Sequence, residues 1–371
     1  MNTETYWPEK RTVVLLFGGR SSEHGISCVT AAGVLKSIDR NLFDVIPVGI
    51  TKSGATVLLE ESDLTHYRLE AGALPEVSEN GTRVLWPASA ATHTLSVITS
   101  DGNVRSLGRV DAVLPMLHGP YGEDGTVQGM LELVDLPYVG SGVLGSALCM
   151  DKHAVKTVLA DAGIAVAPWN TITRSQLRRD PSLAARVDEG LTYPLFVKPN
   201  RAGSSVGVSK VTSPEQLPAA LDVAFAEDSL VLVESGIAGR EVEIAVLEGR
   251  GDDAPRTSAV LGEIVFTGRE FYDFEAKYLG ASGIELALPA DVTAEQFAAI
   301  RDAAVVAFEV AQCAGLARID FFLTDDGPVL NEINTLPGFT PISMYPQLWE
   351  HSGVGYTKLI TELIELALER G

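Results

Sequence analysis

Arg318-Ile319-Asp320 and Asn331-Glu332-Ile333-Asn334 flank one short turn and bring carboxylates, amides and a guanidinium close together. Residues 317–323 alternate as a strand does, Thr324-Asp325-Asp326-Gly327 reads as a tight turn, and residues 328–334 form the returning strand. A three-residue loop Asp325-Asp326-Gly327, with Gly327 left-handed, places Asp320 opposite Glu332 and Arg318 opposite Asn334. Like charges facing each other across strands destabilise the pair unless a cation neutralises them. Asp320, Glu332 and Asn334 offer the oxygen ligands that Mg²⁺ prefers, and Mg²⁺ with few protein ligands usually accompanies nucleotide phosphates. An exposed hairpin with solvated acids would use the same residue types.

Several loops carry further chemistry. Lys198-Pro199-Asn200-Arg201-Ala202-Gly203-Ser204-Ser205-Val206-Gly207 joins two strands, and its small residues let backbone N–H groups converge on an anion that Lys198 also reaches. A merely flexible hairpin is the alternative, and this is not the P-loop, whose Gly-Lys-Ser/Thr ending is missing. Lys152 opens a helix, where a solvated lysine is equally at home. Glu234-Ser235-Gly236 lies between a strand and a linker, with Glu241 opening the next strand; exposed hinge backbone can read a purine edge, and a carboxylate suits ribose hydroxyls. Gly18-Gly19-Arg20-Ser21-Ser22-Glu23 lacks the dinucleotide fingerprint, and Glu23 at a helix start repels pyrophosphate. Either an ammonium ligand or a structural cap suits Glu23 there. His118 begins a glycine-rich loop after a strand, where open α/β sheets bind ligands. The run Phe271-Tyr272-Asp273-Phe274-Glu275-Ala276-Lys277-Tyr278 mixes aromatics and charge as a lid does, and the bends of 337–344 turn backbone N–H groups toward the hairpin.

The elements that must hold these groups are a parallel α/β layer and two further α+β units. Buried strands at 12–17, 44–49 and 112–117 alternate with helical pattern from about 24 to 37. Residues 53–109 read as an excursion of hairpins. We expect an N-terminal α/β domain over 1–140, a central unit over 141–233 and a C-terminal unit over 234–371. The 371 residues allow two or three domains, with 46% hydrophobic and 21% charged residues. A net charge of −21 argues against nucleic acid or an anionic membrane as partner, though a local lysine cluster can still attract an anion. No apolar run reaches the ~18–20 residues of a membrane span, and Met1–Pro8 lacks a signal-peptide pattern. Cys28, Cys149 and Cys313 read as reduced core residues of a cytoplasmic protein.

Taken in order, Gly-Gly-Arg-Ser-Ser-Glu, His-Gly-Pro-Tyr-Gly-Glu-Asp-Gly, Met-Asp-Lys, Val-Lys-Pro, Gly-Ser-Ser-Val-Gly, Tyr-Asp-Phe-Glu-Ala-Lys-Tyr, Arg-Ile-Asp and Asn-Glu-Ile-Asn-Thr-Leu-Pro-Gly resemble the D-alanine–D-alanine ligases of the ATP-grasp superfamily. The resemblance spans nearly the whole chain. It implies a three-domain ATP-grasp architecture, with ATP between the central and C-terminal units. Lys152, Lys198, Ser204, Ser205, the Glu234 hinge, Glu241, Phe322 and Asn331 would hold the nucleotide. Asp320, Glu332 and Asn334 would carry two Mg²⁺ ions, with Mn²⁺ a possible substitute. Glu23 would take the ammonium of a first D-alanine, with His118 beside its carboxylate. Ser343 and the Met344 backbone would take the second carboxylate. Arg318 and the Gly338 N–H would form the oxyanion site, while Lys277 would help neutralise the transferred phosphoryl. Ser204, Tyr278 and Glu23 would share hydrogen bonds that shut the lid. The resemblance also implies a homodimer.

The product would be D-alanyl-D-alanine, formed through a D-alanyl phosphate for peptidoglycan precursor synthesis. D-Lactate or D-serine as second substrate is the nearest rival, against which Tyr278 argues. A carboxylase-like ATP-grasp enzyme fits Glu23 and Ser343 poorly. A catalytically silent ATP-binding regulator fits poorly with intact Arg318, Asp320, Glu332 and Asn334.

Overall fold

The computed structural model describes residues 10–69, 74–266 and 284–371. The first third runs through β1 (Arg11–Gly18), β2 (Phe43–Ile50), β3 (Thr56–Leu58), β4 (Arg83–Leu85), β5 (Thr94–Ile98), β6 (Val104–Arg109) and β7 (Ala112–Met116). β1 pairs in parallel with β2 on one side and β7 on the other. Covered on both faces, it is continuously apolar rather than alternating: Val13, Val14, Leu15, Leu16 and Phe17 are buried. Cys28, Ala31 and Val34 of the helix His24–Ser37 pack into that core. Burial pushes the Cys28 thiol up to about 12, which keeps it a protonated core group. β4, β5 and β6 form their own antiparallel sheet, the expected hairpin excursion, and Val84 and Leu95 pack against Val14 and Leu16.

The helices Val143–Met150 and Lys152–Asp161, the second of which sends Val155 and Leu159 into the core of the C-terminal sheet, precede a central sheet of β8 (Trp169–Thr173), β9 (Leu195–Pro199), β10 (Ser209–Val211) and β11 (Leu230–Ser235). Its strand order is β10-β9-β11-β8, all antiparallel. Asp151 caps the second helix by accepting from Ala154 N, and Gly163, with φ of 80°, follows its end. β8 is an addition to the elements expected from sequence. Its Trp-Asn-Thr-Ile-Thr run carried β-forming residues, but only pairing with β11 makes it a strand.

The C-terminal unit is a sheet of β12 (Arg240–Leu247), β13 (Arg256–Thr257), β14 (Gly262–Phe266), β15 (Ile284–Ala287), β16 (Leu316–Thr324) and β17 (Gly327–Asn334), ordered β15-β14-β12-β16-β17 with β13 beside β12. The helix Ala294–Val310, opened by a capping box between Thr293 and Gln296, covers one face. The closing helix Tyr356–Arg370 bridges to the N-terminal layer: Leu359, Ile360, Leu363 and Ile364 share one core with β1, the helix His24–Ser37 and Ala245 and Leu247 of β12. Among the described residues no helix is long and apolar enough to cross a membrane.

The β16–β17 hairpin corrects one expectation. Its loop has two residues, not three, because Thr324 pairs with Gly327 and its hydroxyl donates to the Gly327 carbonyl at 2.8 Å. Gly327 does take the left-handed side, with φ of 118°. The residue thus added to β17 is absorbed by a bulge: Phe321 faces Leu330, but Asp320 faces Glu332, so Asn331 is the extra residue. Both changes cancel, and Asp320 stays opposite Glu332 and Arg318 opposite Asn334.

Candidate functional site

A cleft of about 410 Å³ opens between the central and C-terminal sheets. Into it the structure brings Lys152, Lys198, Ser204, Ser205 and Glu234 from one side, and Glu241, Arg318, Asp320, Phe322, Asn331 and Glu332 from the other. Asn334 lines an adjoining hollow with Lys156 and Glu123. A hollow of about 560 Å³ elsewhere on the central unit is lined by His153, Trp169, Arg186 and Glu189 and includes none of the residues singled out in the sequence.

On the central side, Lys198 is the penultimate residue of β9, just before the Gly/Ser loop. Ser204 and Ser205 are left-handed, with φ of 49° and 58°, and Val206 N and Val208 N close turns onto Gly203 and Ser205 carbonyls. The Lys152 ammonium donates to the Ala202 carbonyl at 2.7 Å, which ties the helix start to this loop. Glu234 is buried between two lysines: Oε1 pairs with Lys198 and Oε2 with Lys156 at 3.0 Å. Burial alone would raise the Glu234 carboxyl, but Lys198 and Lys156 pull it down to about 2. Burial works against the Lys198 ammonium as well, yet Glu234, Glu332 and Glu241 raise it above its ordinary value. Lys156 is lowered because burial outweighs its attraction to Glu234. The Glu234 carboxylate is therefore engaged by lysines.

On the other side β16 lies between β12 and β17, so Asp320 has Glu243 opposite it on one flank and Glu332 on the other. Three carboxylates stand in a row with Arg318 among them. Arg318 grips both oxygens of Asp320, at 2.8 and 2.7 Å, and lies 3.2 Å from Glu243. Burial would lower the guanidinium, but Asp320 and Glu243 hold it well above its ordinary value. Asn334 donates to Asp320 at 3.0 Å. Among the described residues no three Asp, Glu, His or Cys side chains form a ready-made metal cluster. Two carboxylates and an amide still suit Mg²⁺, which keeps several waters and shares phosphate oxygens with its substrate.

The N-terminal unit reaches the same place. Glu23 is buried at the start of the first helix but makes no side-chain cap bond, which removes the capping alternative. Its Oε1 instead accepts from Ser204 Oγ at 2.7 Å, a bond between residues 181 positions apart. His118 is buried, its Nδ1 lies 3.0 Å from the Leu336 carbonyl, and its Nε2 has no hydrogen-bond partner among the described residues. Gly338 approaches Ser343 so closely that a Cβ there would lie 3.2 Å from its hydroxyl. Ser343 Oγ accepts from the Thr340 N–H at 3.1 Å and shares a second hydrogen bond with the Thr340 hydroxyl, and Met344 begins the helix Met344–His351. Lys277 and Tyr278, expected from the sequence to act in a lid, lie outside the described residues.

Sequence reading missed three charged neighbours. Lys156 is one helical turn after Lys152, a spacing that puts both on one face. Glu243 shares the β12 face of Glu241 through the two-residue period of a strand. Glu123 sits in the quoted His118 loop; burial first, then Glu23 and Glu332, holds its carboxyl well above the usual range. The cysteines also depart from the expectation of scattered core residues: Cys149 and Cys313, only partly buried, bring their sulfurs to 3.8 Å.

Comparison with known proteins follows the same outline. The model for the D-ala D-ala ligase N-terminus matches residues 12–141 and that for the C-terminus 158–365. A D-alanine–D-alanine ligase from Pseudarthrobacter chlorophenolicus is 52% identical over 364 residues, 97% of this chain and 95% of that protein. The VanG D-Ala:D-Ser ligase structure from Enterococcus faecalis superposes with a TM-score of 0.82 at 35% identity, covering 97% of this chain and 100% of that one. The D-alanine–D-alanine ligase of Bacillus anthracis complexed with ATP gives 0.69 at 27% identity, covering 96% and 97%.

Proposed function

The chain belongs to the D-alanine–D-alanine ligase family, and from that premise we propose that it joins two D-alanines at the expense of ATP, through a D-alanyl phosphate. The observation that carries this reading is one cleft with lysines on its central wall and acids on its C-terminal wall, closed toward the N-terminal unit by the Ser204–Glu23 bond. ATP lies in the cleft with its phosphates toward Lys152 and Lys198. Mg²⁺, held by Asp320, Glu332 and Asn334 as two ions or replaced by Mn²⁺, screens the phosphate charge when bound.

Glu23 holds the ammonium of the first D-alanine, and His118 Nε2, buried without a partner among the described residues, meets its carboxylate. A carboxylate oxygen is a poor acyl donor, so it first attacks the γ-phosphorus, and ADP leaves. Phosphoryl transfer of this kind depends chiefly on positioning and charge neutralisation. Ser343 and the Met344 backbone place the second D-alanine, whose free amine attacks the acyl carbon. The tetrahedral oxyanion meets Arg318 and the Gly338 N–H, donors worth on the order of 3 kcal/mol each when preorganised. Phosphate then departs and the amide remains. Water must be excluded meanwhile, because it would hydrolyse the acyl phosphate.

We place the enzyme in the cytoplasm, as a homodimer supplying peptidoglycan precursor. The test incubates purified protein with ATP, Mg²⁺ and D-alanine, alone or with equal D-serine or D-lactate, and weighs the products by mass spectrometry. D-Alanyl-D-alanine should dominate at neutral pH. Mainly depsipeptide or D-alanyl-D-serine would reassign the second substrate, and no ATP-dependent product would sink the ligase reading.

A further inference from the structure

Lys156 lies behind Glu234: it lines the adjoining hollow but not the cleft itself. Its side chain is 4% exposed and that of Glu234 is 5%, whereas Lys198 is 17% exposed and borders the cleft. The three form a chain running outward from Lys156 through Glu234 to Lys198. The Lys156 ammonium also donates to the Ala167 carbonyl at 3.3 Å and lies 5.5 Å from the Trp169 ring centroid.

One counter-charge is enough to neutralise a buried carboxylate, and Lys198 already provides it. Burying a second ammonium is costly unless the surplus is used. The surplus here borders a cleft whose other wall is acidic, in a chain of net charge −21. Without Lys156 the Lys198–Glu234 pair would be neutral overall, and its field on an anion in the cleft would largely cancel. With Lys156 behind it, Glu234 is compensated from the rear and Lys198 presents a whole charge forward. We propose that Lys156 is a positioning residue for phosphate recognition: through Glu234 it keeps the Lys198 side of the cleft net positive toward the phosphates of ATP. The purely structural alternative, a second tether for a buried acid, predicts no distinction between nucleotide and nucleoside. This inference rests on ATP occupying the cleft.

Calorimetry on the whole protein with ATP and with adenosine separates these readings, using Lys156→Met, Lys156→Gln and Lys156→Arg. The uncharged variants should bind ATP about tenfold more weakly with adenosine affinity unchanged, and should raise KM for ATP more than they lower kcat. Lys156→Arg, which keeps the charge, should recover most of the ATP affinity. Gln retains a donor toward Glu234 and carries the test if the Met variant does not fold. Equal losses for ATP and adenosine, or unaltered ATP binding, overturn the proposal, as does failure of both uncharged variants to fold. Wild-type protein that binds no ATP would instead overturn the nucleotide reading of the cleft.

Discussion

Two charge clusters border one cleft, Lys198 and Glu234 of the central sheet with Lys156 of the helix Lys152–Asp161, and Glu243–Asp320–Glu332 with Arg318 on the C-terminal sheet, and they carry opposite excesses. The first sets two ammonium groups around one carboxylate. The second aligns three carboxylates across neighbouring strands, with one guanidinium among them. Each alone is an expensive arrangement, since buried charge needs close compensation. Together they match a ligand that is itself mixed: anionic phosphate on one side, divalent cation on the other. The lesson is that an acidic protein can build an anion site by placing charge surplus locally, whatever its total.

The strongest way to break this comparison is at the acidic wall. Glu332→Gln removes a carboxylate facing Asp320 and should lower kcat on the order of a thousandfold, about 4 kcal/mol of transition-state stabilisation, while circular dichroism stays native. Near-normal phosphate release would rule out the metal role of the hairpin.

The basic wall is tested by acid. Folding lowers the Glu234 carboxyl from its ordinary 4.5 to about 2, so its stabilisation is complete above about pH 4.5 and disappears as pH falls toward 2. Its size is on the order of 3 kcal/mol. Thermal melts of wild type and Glu234→Gln should therefore differ most above pH 4.5 and converge as pH drops; a constant gap would contradict the ion-pair account.

A smaller effect sharpens the boundary between the two walls and the N-terminal unit. Glu23→Ala should weaken binding of the first D-alanine about ten- to a hundredfold, roughly 1.4–2.8 kcal/mol, and leave ATP affinity nearly unchanged. Equal losses in calorimetry would mean that Glu23 acts through the Ser204 loop rather than on the amino acid.

Much of this architecture was readable along the chain. The helix His24–Ser37 and the closing helix Tyr356–Arg370 follow from periodicity, and β1 from a run too apolar for a half-exposed strand. The hairpin pairing was reached through a wrong turn length, because local turn chemistry does not reveal a bulge at Asn331, beyond the turn. Trp169–Thr173 went unread for a similar reason: a short strand is settled by its partner, here β11, rather than by its own residues.

Residue order alone determined which side chains exist to do chemistry and on which strand or loop each rides, because backbone periodicity and turn preferences act over a few residues. It also carried the family resemblance, spread through motifs from Glu23 to Asn334. Only the tertiary structure decided which charges compensate one another. Lys156 becomes a partner of Glu234 because the helix Lys152–Asp161, anchored in the C-terminal core by Val155 and Leu159, brings its ammonium to the end of β11, and Glu243 joins Asp320 because β12 and β16 align in register. Such pairings span dozens of residues, and Coulomb's law depends on separation in space, which sequence distance does not record.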